Sequence, residues 1–438
     1  MTLRGPAFEE RAADWLEPGA ALRRILAACE PLPVEDVPLA ESLGRSLAED
    51  VHGDATLPPW DNSAMDGYAV RGEDVAGAAS ASPVPLKVRA LTRAGGAPAE
   101  ALGPGEAVRI MTGAPVPPGA DTVVRVEDTD AELVPGQVLI LRDRDRNLNV
   151  RPGGHDIRPG DLALERGRSI SPGSVGLLAA LGRARVLVYR RPHVAILTTG
   201  DELRGPEAYA DVRAGAGIPE SNGPMLAAQV TAAGGVPRVL GIIPDDAQAL
   251  LAALGAAAPA DVLVTVGGAS MGEADLVKRA LDTAGFRLDF WRVLMRPGSP
   301  FSFGWLPREV GAQPVFGLPG NPASAFVTFE VFVRPFLLRM AGHRRVHRRR
   351  LRCRAGEALG GGERTGLLRV WLDAGPGGIV AHTTGPQASG LIRGLAAAEG
   401  LAIVDPGPGV AAGDAVDVIL LDSAPAATDV SPLERPGP

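Results

Sequence analysis

Three carboxylates near the middle of the chain sit where chemistry could be done. Glu202, Asp245 and Asp275 each lie in a loop that follows an apolar run: His193 to Thr198, Arg238 to Ile243, and Asp261 to Val266. If those runs are strands of one parallel sheet, the acids share its carboxyl edge, where open α/β sheets bind ligands. Three unpaired carboxylates there would repel one another. A Mg²⁺ ion would relieve that and bridge phosphate oxygens; loop and capping acids are the alternative, and Asp246 fits a helix cap. Thr199 and Gly200 precede Glu202 in its loop. Gly267, Gly268 and Ser270 precede Asp275 in another, where glycine lets backbone N–H groups approach an anion and a following helix adds its dipole. No Gly-Lys-Ser/Thr follows, so this is not a Walker A loop, and a tight strand-to-helix turn would use the same glycines. Ser221 and Asn222 open another helix, as ligands or as its cap. Arg292 and Arg296 are two cations four residues apart before Pro297-Gly298-Ser299. Beside a carboxylate–metal site they suit an anionic substrate.

The elements that must position these residues follow from periodicity. Strands and helices alternate from 185 to 342, with helices predicted from Pro224 to Ala233, Asp246 to Ala257, Ala274 to Ala284 and Ala323 to Met340. Helical crossovers between apolar strands imply a mostly parallel sheet covered on both faces. Before it, a helix is predicted from Pro18 to Glu30, a shorter one from Leu39 to Glu49, and another from Ser171 to Leu181. Between them the texture is short strands and Gly/Pro turns, as at Thr122 to Val126 and Gly95-Gly96. This reads as a β domain (53–152) inserted into a helical domain (14–52 and 153–184). After a basic run, His343 to Arg350, read as a solvated linker rather than a nucleic-acid patch, short strands make a further β domain (350–423). Residues 1–13 and 424–438 read as disordered.

Composition excludes several classes. The chain has 438 residues, with 44 basic and 51 acidic side chains and a net charge of −7. That balance argues against a nucleic-acid binder as a whole, though not against a local anion pocket. Cys29 and Cys353 form no paired motif, so a disulfide framework and a thiolate zinc site are unsupported. No apolar stretch reaches 18 residues, so no membrane span is expected, and a cytoplasmic protein is the default. Aromatics are only 4%, which predicts a core resting on Ala, Val and Leu.

Several segments carry a family resemblance. Thr198 to Leu203 (TTGDEL), Gly241 to Asp246 (GIIPDD), Gly267 to Asp275 (GGASMGEAD) and Gly317 to Ser324 (GLPGNPAS) resemble the molybdopterin-binding domain shared by MoeA, MogA and gephyrin. Asp61 to Val70 (DNSAMDGYAV), Arg109 to Ala114, and Asn149-Val150-Arg151 with Gly154 and Asp156 look like MoeA-type molybdopterin molybdenumtransferases in particular. The match runs over roughly residues 15 to 422, and the ten-residue DNSAMDGYAV is its most specific part.

What the resemblance implies is a homodimer of multidomain α/β and β subunits. Each would have a helical domain I, an inserted β domain II, a MogA-like α/β domain III with a mostly parallel sheet, and a C-terminal β-barrel domain IV. The active site would lie between domain III of one subunit and domain II of the other. The reaction would insert molybdenum from molybdate into adenylylated molybdopterin with release of AMP, using Mg²⁺. Asp61 and Thr112 match functional residues of domain II. Glu202, Asp245 and Asp275 match the domain III acids and the metal set, with either Asp245 or Glu202 as base. Pro319 and Pro322 match the PGNP loop, and Arg364 and Ser389 approximate an oxyanion-holding pair of domain IV. Gly267 and Gly268 would cradle the pterin phosphate. The partners implied are a MogA-type adenylyltransferase and molybdoenzyme chaperones.

The sequence departs from the family at Arg292 and Arg296, where lysines are usual, and at Ser299, where a cation is lost. His155 stands where Glu is frequent. The adenylyltransferase alternative leaves most of the chain unused. A gephyrin-type scaffold would not need the acids, and tungstate insertion is not separable from molybdate by sequence.

Overall fold

The computed structural model describes residues 15–97, 99–267, 276–375 and 377–421. The central sheet has six strands in the order Val236–Ile243, His193–Thr199, Val262–Val266, Ala312–Leu318, Ser302–Pro307, Arg287–Trp291. The first four are parallel; Ser302–Pro307 runs antiparallel to Ala312–Leu318, and Arg287–Trp291 antiparallel to it in turn at the edge. His193–Thr199 comes first in the chain, and its two sheet neighbours come later. The order therefore reverses there, which makes a topological switch point, the place where open α/β sheets bind ligands at the carboxyl ends of their strands.

Helices cover the sheet as the apolar spacing requires. Pro18–Ala27 starts with proline at its first position and turns the fully buried Ala21 and Ile25 onto the core of the α/β sheet. Asn222–Ala232, Ala247–Ala256 and Leu276–Thr283 follow their strands. Asp246 caps the second, accepting from the Gln248 and Ala249 N–H groups at 3.0 and 2.8 Å. The predicted Ala323 to Met340 helix is continuous but has a π-helical turn, Phe329–Val333, between Pro322–Thr328 and Arg334–Met340. Pro335, which cannot donate a helical hydrogen bond, lies just after it.

The core corrects one expectation. Seven of the chain's ten phenylalanines gather in a single cluster on one face of the sheet. Phe301 stacks on Phe332 at 4.5 Å and Phe303 lies 4.9 Å from Phe316. Aromatics are few but concentrated, and such pairs add to area burial.

The first unit is assembled from both flanks of an insertion. Val34–Pro38 pairs antiparallel with Arg185–Tyr189, and Val51–His52 with Leu162–Leu164. The helix Pro172–Ala180 is capped by Ser171. The predicted helix Leu39 to Glu49 is only a 3₁₀ turn, Leu39–Glu41. Gly44 adopts a left-handed φ of 76°, and Ser46 and Leu47 bridge to Ser169 and Val188 instead. Between the flanks, a five-stranded sheet runs Thr122–Arg125, Gly67–Val70, Glu106–Ile110, Val84–Thr92, Gln137–Ile140. Its neck is the two-residue pairing of Asn62–Ser63 with Val150–Arg151.

At the C-terminal end, Thr365–Gly375, Gly378–Thr383, Arg350–Ala355, Ala415–Leu420 and Gly400–Val404 close into a five-stranded barrel, because the first also pairs with the last. The basic run leading into it is not simply solvated. Arg348 pairs with Glu330 at 2.7 Å, with side chains 8% and 5% exposed, and Gln229 donates to the same carboxylate at 2.8 Å. A buried charge is tolerated only when paired in this way.

Candidate active site

The acidic edge forms at the switch point. Thr199 ends its strand, and Gly200 follows with φ 145°. A Cβ on Gly200 would meet the Glu202 carboxylate at 2.7 Å, so glycine lets that carboxylate fold against the main chain. Gly267, with φ 93°, leaves the neighbouring strand, and a Cβ there would lie 3.1 Å from Thr199 Oγ1. Glu202 and Asp245 are exposed at the ends of adjacent strands. Asp201, which the sequence reading did not single out, accepts the Asp245 N–H at 3.1 Å. Gly268, Ser270 and Asp275 lie outside the described residues.

Ser221 makes no side-chain cap. Glu220 takes that role, accepting from Gly223 N–H at 2.8 Å. Asn222 instead reaches across to donate to the Gly320 carbonyl at 2.7 Å, and its Oδ1 is buried with no hydrogen-bond partner among the described residues. Pro319 is buried, and Pro322 starts the following helix. Asn321 donates to Ser389 Oγ at 3.1 Å, and the Ala323 N–H donates to the Ser389 carbonyl at 3.0 Å. The PGNP loop thus docks on the barrel.

The cationic side is built beside it. Met295–Arg296 adds to the barrel strand at Thr365–Gly366, which brings Arg296 next to Arg364 along a cleft of about 400 Å³. Arg364 donates to Ser299 Oγ at 2.9 Å, and that hydroxyl donates to the Val293 carbonyl at 3.2 Å. The serine that replaces a family cation therefore orients an arginine. Arg364 lies 4.5 Å over the Trp15 ring; Arg292 lies 5.2 Å from it and 3.9 Å from Trp291. Stacking of this kind fixes a guanidinium without neutralising it. Arg292 holds φ 79°, an uncommon conformation for a side-chain-bearing residue. Trp15 is a second residue the sequence reading missed; a lone tryptophan near a charged terminus carries no periodic signal.

Asp61 adjoins the neck of the inserted domain, and the turn that carries Thr112 bonds to it through the Gly113 N–H and the Ser63 carbonyl at 2.8 Å. Asp61 Oδ1 accepts the Gly153 N–H at 2.7 Å, and its carbonyl accepts from Val116. It lines a cleft of about 620 Å³ with Trp60 and the Pro115 to Ala120 loop. The N–H and hydroxyl of Thr112 donate to Asp66 Oδ1 at 2.7 and 2.8 Å. Those bonds, the backbone one first, hold the Asp66 carboxyl below the usual carboxylate range. Among the described residues, no side-chain bond joins Asp61 or Thr112 to Glu202 or Asp245 within one chain. Nor do three His, Cys, Asp or Glu residues gather as a closed metal site among them. His155 makes no side-chain bond there, and no described helix is long and apolar enough to cross a membrane.

Fold and site together define a multidomain protein with exposed carboxylates at the switch point of an α/β sheet and guanidiniums where that domain meets a C-terminal barrel. Residues 16–182 match the MoeA N-terminal region (domains I and II), 195–339 the probable molybdopterin binding domain, and 353–421 the MoeA C-terminal region (domain IV). The chain belongs to the MoeA family of molybdopterin molybdenumtransferases, enzymes of molybdenum cofactor biosynthesis. It is 39% identical over 386 residues to molybdopterin molybdenumtransferase 2 of Mycobacterium tuberculosis, covering 86% of this chain and 91% of that one. With the Bacillus subtilis molybdopterin molybdenumtransferase it shares 38% identity over 72% of this chain and 73% of that one. The crystal structure of the moeA protein from Pyrococcus horikoshii superposes with a TM-score of 0.79 at 27% identity, over 93% of this chain and 100% of that one.

Proposed function

We propose that the chain transfers molybdenum from molybdate to adenylylated molybdopterin and releases AMP. The observation that carries this reading is the junction where Arg296, Ser299 and Arg364 meet the barrel beside the PGNP loop. Guanidiniums and hydroxyls at one place suit a tetrahedral oxyanion. The acidic edge, with Glu202 and Asp245, suits the other half of the reaction. Water adds to the phosphorus of the adenylyl group, the phosphoanhydride bond breaks, and AMP departs. The two dithiolene thiols give up their protons as their sulfurs bond to molybdenum, and one molybdate oxygen leaves with those protons as water.

A divalent cation is part of this reading. Mg²⁺ binds through one or two carboxylates plus substrate phosphates and retains water. Glu202 and Asp245 are exposed hard-oxygen donors on neighbouring strands and fit that role, with Asp275 as their third member. When bound, the cation would offset charge on the pyrophosphate. Glu202 or Asp245 would accept the proton of the attacking water. Thr199, Gly200, Gly267, Gly268, Ser270, Ser221 and Asn222 would line the pterin phosphate side. Arg292 and Arg296 would face the anions, and Pro319 and Pro322 would shape the loop between them.

Asp61 and Thr112 would complete the site from the second subunit of a homodimer, in keeping with hydrogen bonds that stay within the first unit and its insertion. A cytoplasmic location, a MogA-type adenylyltransferase as supplier and molybdoenzyme chaperones as recipients complete the proposal. The test is AMP release from adenylylated molybdopterin with Mg²⁺, with and without molybdate. Molybdate-dependent release supports the reading. No release despite tight pterin binding would turn it toward a carrier.

A further inference from the structure

A second cationic site lies on the seam between the first unit and the α/β domain. It is a cleft of about 450 Å³ that shares no lining residue with the site above. Arg45, Arg191, Arg334 and Arg345 line it with His343, and no carboxylate does. In a chain of net charge −7, four guanidiniums around one concavity, one of them paired with Glu35, still leave a local excess of positive charge. Arg45 is held from behind by Glu35 and donates to the Tyr189 carbonyl at 2.7 Å. Arg334 donates to the Val346 carbonyl at 3.3 Å. Arg191 and Arg345 are exposed, and among the described residues neither side chain makes an ion pair or hydrogen bond. Two guanidiniums are thus fixed and two are free to close. His343 is pushed down to about 4 by burial and then by Arg334, so it is neutral near pH 7. The helix Asn222–Ala232 ends at the cleft. Its dipole opposes an anion with roughly half a charge, less than the two full charges of Arg191 and Arg345.

We propose that this cleft binds a small polyphosphate, an anion with two or more phosphoryl groups. Arginine forks match phosphate oxygens in pairs, and the volume lies within the range of small-molecule sites. A nucleic-acid track is disfavoured by the neighbouring run. Arg344 pairs with Glu165, Arg348 with Glu330 and Arg350 with Asp417, so these cations are already committed. Because Arg45 belongs to the first unit and Arg334 and Arg345 to the α/β domain and its exit, the ligand would clamp the two together. The proposal is independent of molybdenum transfer.

The experiment is calorimetric titration of the full-length protein with inorganic tripolyphosphate, with phenylglyoxal footprinting read by mass spectrometry. Arg191→Ala/Arg345→Ala is expected to weaken binding roughly tenfold or more, with its melting temperature unchanged in the absence of ligand. Tripolyphosphate should protect Arg191 and Arg345 from modification in the wild type, and Arg292→Ala/Arg296→Ala should retain that protection. ATP that competes for the same protection supports a nucleotide source; ATP that does not leaves inorganic polyphosphate as the supported ligand. Three results overturn the proposal: no binding by the wild type, binding unchanged in the double variant at 191 and 345, or loss confined to the variant at 292 and 296. Single-stranded RNA that binds the cleft more tightly than either probe would overturn the small-ligand assignment.

Discussion

The guanidiniums of Arg292 and Arg364 both reach the ring of Trp15, whereas Asp61 beside the neck and Thr112 after the strand Glu106–Ile110 bond only within the first unit and its insertion. The cationic half draws on three distant stretches of chain: residue 15, the loop from 291 to 299, and the entry to the barrel at 364. It exists only when the N-terminal segment, the α/β domain and the barrel are docked. Asp61 and Thr112 are held within the first unit and its insertion, by the Gly153 N–H and by Asp66, and Glu202 folds against the turn at Gly200. Substitutions in the cationic half should therefore disturb ligand binding and domain docking together. Those among the acids should change chemistry and leave the fold alone.

The strongest way to break that contrast is Asp245→Asn. Its carboxylate is exposed and makes no side-chain bond among the described residues, so the melting temperature should not move. Turnover should fall by about 10² or more, the range for a lost acid–base group. Asp61→Ala should lose turnover alike, with a small loss of stability, about 1 kcal/mol, from its bond to the Gly153 N–H. If the two acids belong to different subunits, an equal mixture of the two inactive proteins, after subunit exchange, should recover about one quarter of the wild-type sites in a two-fold dimer. A large loss of stability in either variant would show the acids to be structural, and no recovery on mixing would remove the shared site.

Next in size is Arg364→Ala. A charged hydrogen bond contributes about 1.5–3 kcal/mol, so half-saturation for molybdate should rise roughly tenfold to a hundredfold, read from the molybdate dependence of AMP release. An unchanged molybdate requirement with a lower maximal rate would move Arg364 out of the oxyanion site.

What could be read from sequence divides along the same line. The carboxyl edge was legible because strand-to-loop transitions put Glu202 and Asp245 at one end of a sheet whatever the details of packing. The DNSAMDGYAV stretch was legible as a motif, though not its use of Asp66 as the anchor for Thr112. The cationic half was read only as charge spacing. That Arg292 and Arg364 converge on Trp15 depends on tertiary docking, which no local period encodes. The same holds for Glu220, which caps the helix in place of Ser221 because it lies three residues before Gly223 and folds back on it. The helix expected at Leu39 to Glu49 failed for the converse reason. Its apolar residues Leu39 and Leu47 serve a core that both flanks of the insertion share, so tertiary pairing overrode local propensity.

Trp15→Leu sharpens the cationic side by removing the ring and keeping apolar bulk. Cation–π contacts at exposed sites contribute about 0.5–1 kcal/mol. The molybdate requirement should therefore rise roughly two- to fivefold, with Trp15→Phe in between. A loss as large as that of Arg364→Ala would mean that the tryptophan docks the N-terminal segment rather than orienting two side chains, and thermal melting would then fall as well.

The smallest effect belongs to Thr112→Val, and its sign follows from Asp66. The carboxyl of Asp66 is held low by the Thr112 N–H and then by its hydroxyl. A depressed carboxylate contributes stability that is fully present above its unfolded value and is lost as pH falls through the folded one. Valine deletes the hydroxyl bond and keeps the N–H bond, so the Asp66 carboxyl should titrate part of the way back toward the ordinary carboxylate range, as followed by carbon NMR of that carboxyl. The wild type should be the more stable of the two near neutrality, and the gap should close as the solution is acidified through the wild-type Asp66 titration. Asp66 is exposed, so water screens the effect. An Asp66 titration that does not move would assign the holding force to the backbone N–H alone, leaving the Thr112 hydroxyl free to face the substrate.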